Sequence, residues 1–248
     1  MNFVNEKALD QEIHHLRYLN EGSQGVCYLS CKKKNPNKVY KLFHHYFEQE
    51  DSTVSEEELL QFSSIKNNTF VWPEDSIQVN HQVVGYTMPF KKAKNLYQID
   101  PLKVRLSSFE KALTIADKDL KMLTDKHVAT FDVMYNTLYG NGHFYIIDTL
   151  DYVKKEISYK DNSSVFHKEI KYFLVDNYFD DFVNADLLLR DLYHEQDVSS
   201  LLFLKCLRLK LSEYQGEEIK TLGKVKSLVR HREYGHYIRN IEAPVKER

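Results

Sequence analysis

Cysteine, glycine and proline are all scarce in this chain of 248 residues. The three cysteines, Cys27, Cys31 and Cys206, cannot all pair with one another, and no two of them have Cys-x-x-Cys spacing. Neither a disulfide framework nor a zinc site is therefore indicated, and a reducing, cytoplasmic setting is favoured. Because there are only eight glycines and five prolines, each of them is informative about the local backbone.

Long apolar runs are absent as well. No segment approaches the roughly 20 apolar residues that span a bilayer, so we expect no membrane partner. The N-terminus lacks a basic start followed by an apolar stretch, so no signal peptide is expected. A formal net charge of −2 provides no overall field that would attract nucleic acid. What the chain does contain is bulky core material, with 17 tyrosines and 14 phenylalanines.

The first ninety residues are rich in predicted strands. Apolar and β-branched segments bounded by turn residues predict strands at 26–31, 38–43, 77–79 and 82–88. Pro89 is predicted to end the last of them. A helix is predicted over 52–66, because Ser52 or Thr53 could cap it and acidic residues follow in its first turns.

Beyond residue 90 the pattern changes to helix. Apolar residues recur at steps of three and four at Phe109, Leu113, Ala116, Leu120 and Leu123. This spacing predicts a helix over 107–126 with one buried side. Short strands at 137–139 and 144–147 flank the tight turn Gly140-Asn141-Gly142. Further helices are predicted at 166–178, 185–194, 198–214 and 217–231.

The predicted fold class is therefore α+β, with a seam at Pro89 to Lys94. Residues 1–90 are expected to form an antiparallel sheet with one helix. Residues 91–248 are expected to form a mainly helical domain.

A glycine-containing loop and a lysine are the first candidates for chemistry. In Asn20–Cys27, glycines at 22 and 25 would let backbone N–H groups approach phosphate oxygens that side chains would block. Lys41 follows on a predicted strand, where its ammonium could hold phosphate oxygens. Taken alone, such a loop is more often an ordinary hairpin turn, and such a lysine is usually a solvated residue on the exposed face of a strand.

Three acidic residues near the start of the predicted helix 52–66 offer a partner for this lysine. One of Glu56, Glu57 and Glu58 could pair with Lys41 and fix its ammonium. Alternatively, acidic residues near a helix N-terminus stabilise the helix dipole and need no further role. Both explanations could apply to different members of the trio.

Asn136 and Asp148 are the last pair of candidates. They are separated by strand, turn and strand, and a hairpin returns the chain to its start, so the two side chains are expected to converge. An amide oxygen and a carboxylate are suitable ligands for Mg²⁺. Either residue alone would be an ordinary turn former.

The order and spacing of these features resemble the protein kinase family, whose motifs include a Gly-rich loop, a strand lysine, a helix glutamate and a catalytic-loop asparagine. The resemblance covers roughly residues 15–150 and implies a bilobal, protein-kinase-like fold that binds ATP. In it, Asn20 takes the place of the first loop glycine, Met88 is the gatekeeper, and the segment from Pro89 meets adenine. The residues implied at the nucleotide are Gly22, Ser23, Gly25, Lys41, Met88, Pro89 and Lys91.

The same resemblance implies catalytic and metal-binding roles. Glu58 is the member of the acidic trio that falls in register with the helix glutamate when one counts back without gaps from Phe70-Val71-Trp72. Asn136 matches the catalytic-loop asparagine. Asp148 matches the metal-binding aspartate, followed here by Thr149-Leu150 where the family has Phe-Gly. Mg²⁺ or Mn²⁺ is the implied metal.

One departure from the family leaves two readings open. The His-Arg-Asp motif is absent, Phe131 stands where the catalytic aspartate belongs, and Asp132 follows it. If Asp132 orients the acceptor hydroxyl, the protein is an ATP-dependent phosphotransferase acting on a protein Ser/Thr or a small molecule. If the base is missing, the protein is a nucleotide-binding pseudokinase, a regulatory binding module. The acceptor is not readable from the sequence.

A third reading comes from the C-terminal segment 224–239. This segment contains five basic residues and only one acidic residue, Glu233, with tyrosines between them. Such a pattern could bind RNA. Such a run is more often the solvated face of a terminal helix, so nucleic acid is the less favoured partner. The eleven histidines show no metal-ligand spacing such as His-Glu-x-x-His.

Overall fold

The structure is a computed structural model that describes residues 1–30, 37–44 and 54–228. The chain divides into two compact units, Met1–Lys92 and Ala93–Arg248. Strands dominate the first unit and helices dominate the second, so the fold class is α+β, as predicted. Within the described ranges, no helix combines the length and the apolar character needed to cross a membrane.

The first unit is built on a six-stranded sheet with strand order β1-β5-β6-β4-β3-β2. Its elements in chain order are β1 (Asn2–Phe3), α1 (Glu6–Ile13), β2 (Arg17–Glu21), β3 (Gly25–Leu29), β4 (Lys38–Phe43), α2 (Glu56–Leu60), β5 (Asp75–Val79) and β6 (Gln82–Pro89). Neighbouring strands are antiparallel except at one edge, where β1 pairs parallel with β5. The sheet is therefore mixed, which corrects the predicted antiparallel sheet. Pro89 ends β6 as predicted.

Helix α1 was not predicted, since residues 1–90 were expected to hold a single helix. Asn5 caps it, because its side chain accepts the N–H of Ala8 at 3.0 Å. One leucine, Leu9, is buried among core residues of the sheet that include Tyr40 and Ile77. A helix that buries so few apolar residues carries a weak periodic signal, which explains why the sequence did not reveal it.

Helix α2 is much shorter than the predicted segment 52–66. Its cap is Ser55, whereas the predicted caps Ser52 and Thr53 lie outside the described residues. The helix ends at Leu60, and Asn67 then forms a turn by accepting the N–H of Thr69 at 2.9 Å. Between these points the backbone bonds span three residues, since the N–H of Ser63 donates to the Leu60 carbonyl at 3.0 Å and that of Ile65 to the Phe62 carbonyl at 2.9 Å, so the α-helix does not continue.

The second unit combines five α-helices with small sheets among its described residues. Its elements are β7 (Lys94–Asn95), α3 (Leu106–Asp125), β8 (Val128–Ala129), β9 (Thr137–Gly140), β10 (His143–Ile146), β11 (Val153–Lys154), α4 (Tyr159–Val175), α5 (Asp180–Ala185), α6 (Leu187–His194) and α7 (Ser200–Gln215). Strands β10, β9 and β7 form one sheet, and β8 pairs with β11. The predicted hairpin is β9–β10, and its turn residues Asn141 and Gly142 have φ of 51° and 74°.

Helix α3 supplies the centre of this unit's core. All five apolar residues that predicted the helix are buried. Phe109 lies at the middle of an aromatic cluster, with its ring centroid 5.0 Å from that of Phe144 and 5.5 Å from that of Phe173. Residues at steps of three and four on α3 therefore pack against the β9–β10 hairpin and α4.

The later helices differ from the prediction at their ends. Helix α4 begins at Tyr159 rather than at 166, because Ser158 caps a polar first turn and accepts the N–H of Asp161 at 3.1 Å. Helix α5 was not predicted. The predicted helix 217–231 is instead a 3₁₀ segment at Leu222–Leu228, and residues beyond 228 lie outside the described part of the chain.

Candidate functional site

The glycine-containing loop of the first unit is a tight turn joining β2 to β3. The N–H of Gly22 donates to the carbonyl of Gly25 at 2.9 Å. His44, which follows β4, contacts the same loop twice. Its ring Nε2 lies 2.9 Å from the Gly22 carbonyl oxygen, and its backbone N–H donates to the Gln24 carbonyl at 3.1 Å. Ser23, at the tip, is exposed. The loop is therefore fixed by the backbone and one imidazole.

The two loop glycines have different surroundings. A Cβ on Gly25 would lie 2.1 Å from the carbonyl oxygen of Leu42, so the pairing of β3 with β4 requires glycine there. A Cβ on Gly22 would have no atom within 4 Å. Strand pairing thus accounts for Gly25, whereas no packing constraint within the described chain accounts for Gly22.

Lys41 lies beside this loop although its strand is central in the sheet. It sits on β4 opposite Cys27 and Tyr86, and it is only 6% exposed. Its Nζ donates to Oε1 of Gln24 at 3.1 Å and lies 5.8 Å from the centroid of the Tyr86 ring. Burying an ammonium is costly unless polar groups surround it, so a lysine held here is a candidate for binding an anion.

Glu58, the predicted partner of Lys41, is engaged elsewhere. Its Oε2 accepts the N–H of Ser55 at 3.0 Å and the Ser55 hydroxyl at 2.8 Å, which completes a capping box. These hydrogen bonds lower the pKa of Glu58. Within the described residues, no ion pair joins Glu58 to Lys41. Glu56 accepts the hydroxyl of Ser76. The carboxylate of Glu58 therefore stabilises the start of α2, as the alternative explanation of the acidic residues states.

The residues expected near adenine lie at and after the end of β6. Met88 is 7% exposed and faces the core opposite Val39. Pro89 pairs with Lys38, and the N–H of the next residue, Phe90, donates to the carbonyl of Asn37 at 2.7 Å. Lys91 follows the strand and is half-buried.

Three residues singled out by the sequence come together in the second unit. The side-chain Nδ2 of Asn136 donates to the carbonyl of Asp132 at 2.8 Å and to its Oδ2 at 3.1 Å. The carbonyl of Asn136 accepts the N–H of Ile147 at 3.1 Å, which places Asp148 beside the base of the hairpin. One amide and two carboxylates are therefore grouped around the β9–β10 hairpin.

Three residues of this group and its loop lie in the left-handed region of backbone space. Asp132 has φ of 47°, Tyr135 has φ of 70° and Asp148 has φ of 60°. Aspartate adopts this region more readily than most residues, whereas holding a tyrosine there costs about 1–3 kcal/mol. Such residues cluster at functional sites, where the surrounding structure holds them in place.

The charges of Asp132 and Asp148 affect the pKa of a nearby buried tyrosine. Tyr152 is fully buried, and its pKa is raised well above the ordinary value, first by burial and then by the charges of Asp132 and Asp148. Both carboxylates therefore lie within electrostatic range of one hydroxyl. Negative charge concentrated in this way favours a cation.

The loop that carries Asp132 is supported by helix α4. Near the start of α4, Oδ1 of Asn162 accepts the N–H of Thr130 at 2.7 Å. Further along, Glu169 accepts the N–H of Tyr135 at 2.9 Å. Neither residue was predicted from the sequence. The sequence does place ionisable residues at 167, 169 and 171 among apolar neighbours. Ionisable side chains are rarely buried unless they bind a partner, so this pattern indicates polar contacts along the helix.

Phe131, at the position where the resemblance to protein kinases implies a catalytic aspartate, is 43% exposed. The carboxylate of the following residue, Asp132, is the one in contact with Asn136. Among the described residues, no group of three or more His, Cys, Asp or Glu side chains is arranged to hold a metal ion. Most of the basic segment 224–239 lies outside the described residues.

Comparisons with known proteins add no family to this description. The sequence matches no protein-family model and no curated protein.

Proposed function

We propose that the protein binds ATP with a divalent metal ion and transfers the γ-phosphoryl group to a hydroxyl acceptor. The observation that carries the proposal is the grouping of Asp132, Asn136 and Asp148, with two of the three at positive φ. The kinase-like fold and the Mg²⁺ requirement are parts of the same proposal. They gain support from Lys41, a buried amine that contacts the glycine-containing loop.

The donor set is suited to Mg²⁺ or Mn²⁺. Because Nδ2 of Asn136 is bound to Asp132, the amide oxygen is the remaining coordinating atom of that side chain. Asp148 supplies a carboxylate, and hard oxygen donors of these two kinds suit both ions. Bound there, the metal would neutralise charge on the phosphate oxygens.

The remaining roles belong to the chain's own groups. Lys41 would hold phosphate oxygens through its ammonium, and Gly22 and Ser23 would approach the phosphates closely because no bulky side chain blocks them. The acceptor oxygen attacks the γ-phosphorus while the bond from that phosphorus to the bridging oxygen of ADP breaks. The proton of the acceptor hydroxyl passes to the Asp132 carboxylate.

A binding-only function is the second candidate, because Phe131 stands in the position of the family's catalytic aspartate. A pseudokinase of this kind would bind nucleotide and regulate a partner without turnover. Binding at 100 times the dissociation constant would stabilise it by about 2.7 kcal/mol. No phosphate would be transferred to any acceptor, the protein itself included.

Transfer of label from γ-³²P-ATP separates the two candidates. With Mg²⁺ and a panel of protein and small-molecule hydroxyl acceptors, we expect the wild-type protein to transfer label and Asp132→Ala to be slower by about 100-fold, the lower end for loss of a general base. Asp151→Ala is the matched control, because Asp151 is exposed and its charge is the same. Thermal stabilisation by ATP without any transfer by the wild type would establish the binding-only function instead.

A further inference from the structure

One buried carboxylate holds the loop on both sides of Asn136. Glu169 lies on α4 and is 1% exposed. Its Oε1 accepts the N–H of Tyr135 at 2.9 Å, and its Oε2 accepts the hydroxyl of Thr137. Tyr135 and Thr137 are the chain neighbours of Asn136, so Glu169 fixes the backbone at the two points that determine how Asn136 is presented.

Tyr135 is restrained from other directions as well. Its ring stacks on that of Tyr97 with centroids 4.9 Å apart, and its carbonyl accepts Nδ2 of Asn95. Its φ of 70° is unfavourable for a residue with a side chain. Several contacts that converge on a residue in such a conformation indicate that the conformation itself is needed.

We propose that Glu169 is a positioning residue, which holds Tyr135 and Thr137 so that the amide oxygen of Asn136 faces the metal ion. The inference rests on the proposed function, because the direction of Asn136 matters to the reaction only if that side chain binds the metal. Glu169 acts through the loop and not on the substrate.

Both protonation states of Glu169 allow this role. Burial raises the pKa of Glu169 to about 7, while hydrogen bonds from Thr137, Tyr135 and Tyr97 act in the opposite direction. No charged side chain in the described ranges contributes to this shift. The ionised carboxylate accepts from both loop residues. The neutral acid still accepts from Tyr135 and donates to the Thr137 hydroxyl, which lies 3.2 Å from the Val133 carbonyl oxygen.

The raised pKa of Glu169 makes its contribution to folding stability depend on pH. The folded protein holds this proton more tightly than the unfolded chain, whose glutamate has its ordinary pKa near 4.5. The contribution of Glu169 to stability is therefore complete below about pH 4.5 and declines as the pH rises to about 7. Glutamine in its place resembles the neutral acid and cannot titrate.

Amide chemical shifts test the contact directly in the full-length, ¹⁵N-labelled chain. We expect the N–H proton of Tyr135 to titrate with a midpoint near pH 7 in the wild type and to be flat in Glu169→Gln. Glu213→Gln, at an exposed position on α7, serves as control and should keep the wild-type midpoint. A Tyr135 N–H profile that Glu169→Gln and Glu169→Ala both leave unchanged overturns the inference.

Steady-state transfer of phosphate from ATP tests the consequence. We expect Glu169→Ala to lower kcat at least about tenfold, with KM for ATP within about twofold, as for residues that support a metal ligand. At pH 6, Glu169→Gln should restore kcat to within about threefold of the wild type. If Glu169→Ala fails to fold, Thr137→Val removes one of the two contacts and should lower kcat in the same direction.

The two experiments separate the inference from the function on which it rests. A wild-type protein that transfers no phosphate contradicts the proposed phosphotransferase, and the Tyr135 titration still decides whether Glu169 holds the loop. A wild-type protein that transfers phosphate, with Glu169→Ala or Thr137→Val equally fast, overturns the positioning role and leaves the phosphotransferase standing.

Discussion

Lys41→Met is expected to lower phosphate transfer at least about 100-fold, the scale observed when a charge-stabilising group is removed from an active site. Lys41 is the residue of the first unit with the strongest claim to contact phosphate. It is 6% exposed, and its amine contacts the side chain of Gln24 in the glycine-containing loop. Methionine keeps much of the shape of the side chain and removes the charge.

The fold should survive this substitution. Gln24, which accepts from the Lys41 amine, is exposed and can bind water in its place, and methionine fills much of the same space. We therefore expect Lys41→Met to unfold cooperatively, with a lower transfer rate than its change in stability can explain. Circular dichroism melts with radiolabel transfer on the same samples measure both effects.

A surface lysine provides the control. Lys103 is 83% exposed and lies near Asp100, so Lys103→Met removes the same charge from a solvated position. Its transfer rate should equal that of the wild type. Undiminished transfer by Lys41→Met would contradict the role assigned to this lysine.

The second large expected effect is a loss of stability when Gly25, one of the two loop glycines, is replaced by alanine. Gly25→Ala would place a Cβ 2.1 Å from the carbonyl oxygen of Leu42, so β3 and β4 could not keep their pairing. We expect a loss of about 3 kcal/mol in the free energy of unfolding, at the upper end for overpacking. Gly22→Ala meets no atom within 4 Å and should change the unfolding free energy by less than about 0.5 kcal/mol.

The same pair of variants separates structure from binding. If Gly22 lies against phosphate, a methyl group there should weaken ATP binding at unchanged stability. Denaturant unfolding measures the first quantity, and isothermal titration with MgATP measures the second. Equal ATP affinity in Gly22→Ala and the wild type would mean that the loop is an ordinary hairpin turn.

The parts of the fold that the sequence predicted depend on local patterns. Helix α3 follows from five apolar residues on one side, and the β9–β10 turn follows from Asn141-Gly142, since both adopt the positive φ that this turn needs. The predicted convergence of Asn136 and Asp148 depends on the same hairpin, which brings the carbonyl of Asn136 to the N–H of Ile147, the residue before Asp148. In these cases the information lies within about twenty residues of chain.

The parts that were missed depend on distant contacts. Nothing near Glu169 in the sequence indicates that it binds residues 135 and 137, and nothing near Gln24 indicates that it accepts from Lys41. Glu58 shows the reverse case, because a local capping box with Ser55 takes the carboxylate that was assigned to a distant lysine. The carboxylate of Glu58 could either cap its own helix or pair with Lys41, and the structure shows the hydrogen bonds to Ser55.

Paramagnetic broadening by Mn²⁺ tests most directly whether Asn136 and Asp148 hold a divalent metal together with ATP. In ¹⁵N spectra with ATP and a trace of Mn²⁺, we predict loss of the Asn136 side-chain amide and Asp148 backbone signals in the wild type and in the control Asp151→Asn. Asp148→Asn should keep its Asn136 signal at the same Mn²⁺ concentration. Sharp signals from both residues in the wild type at saturating ATP and Mn²⁺ would contradict the account.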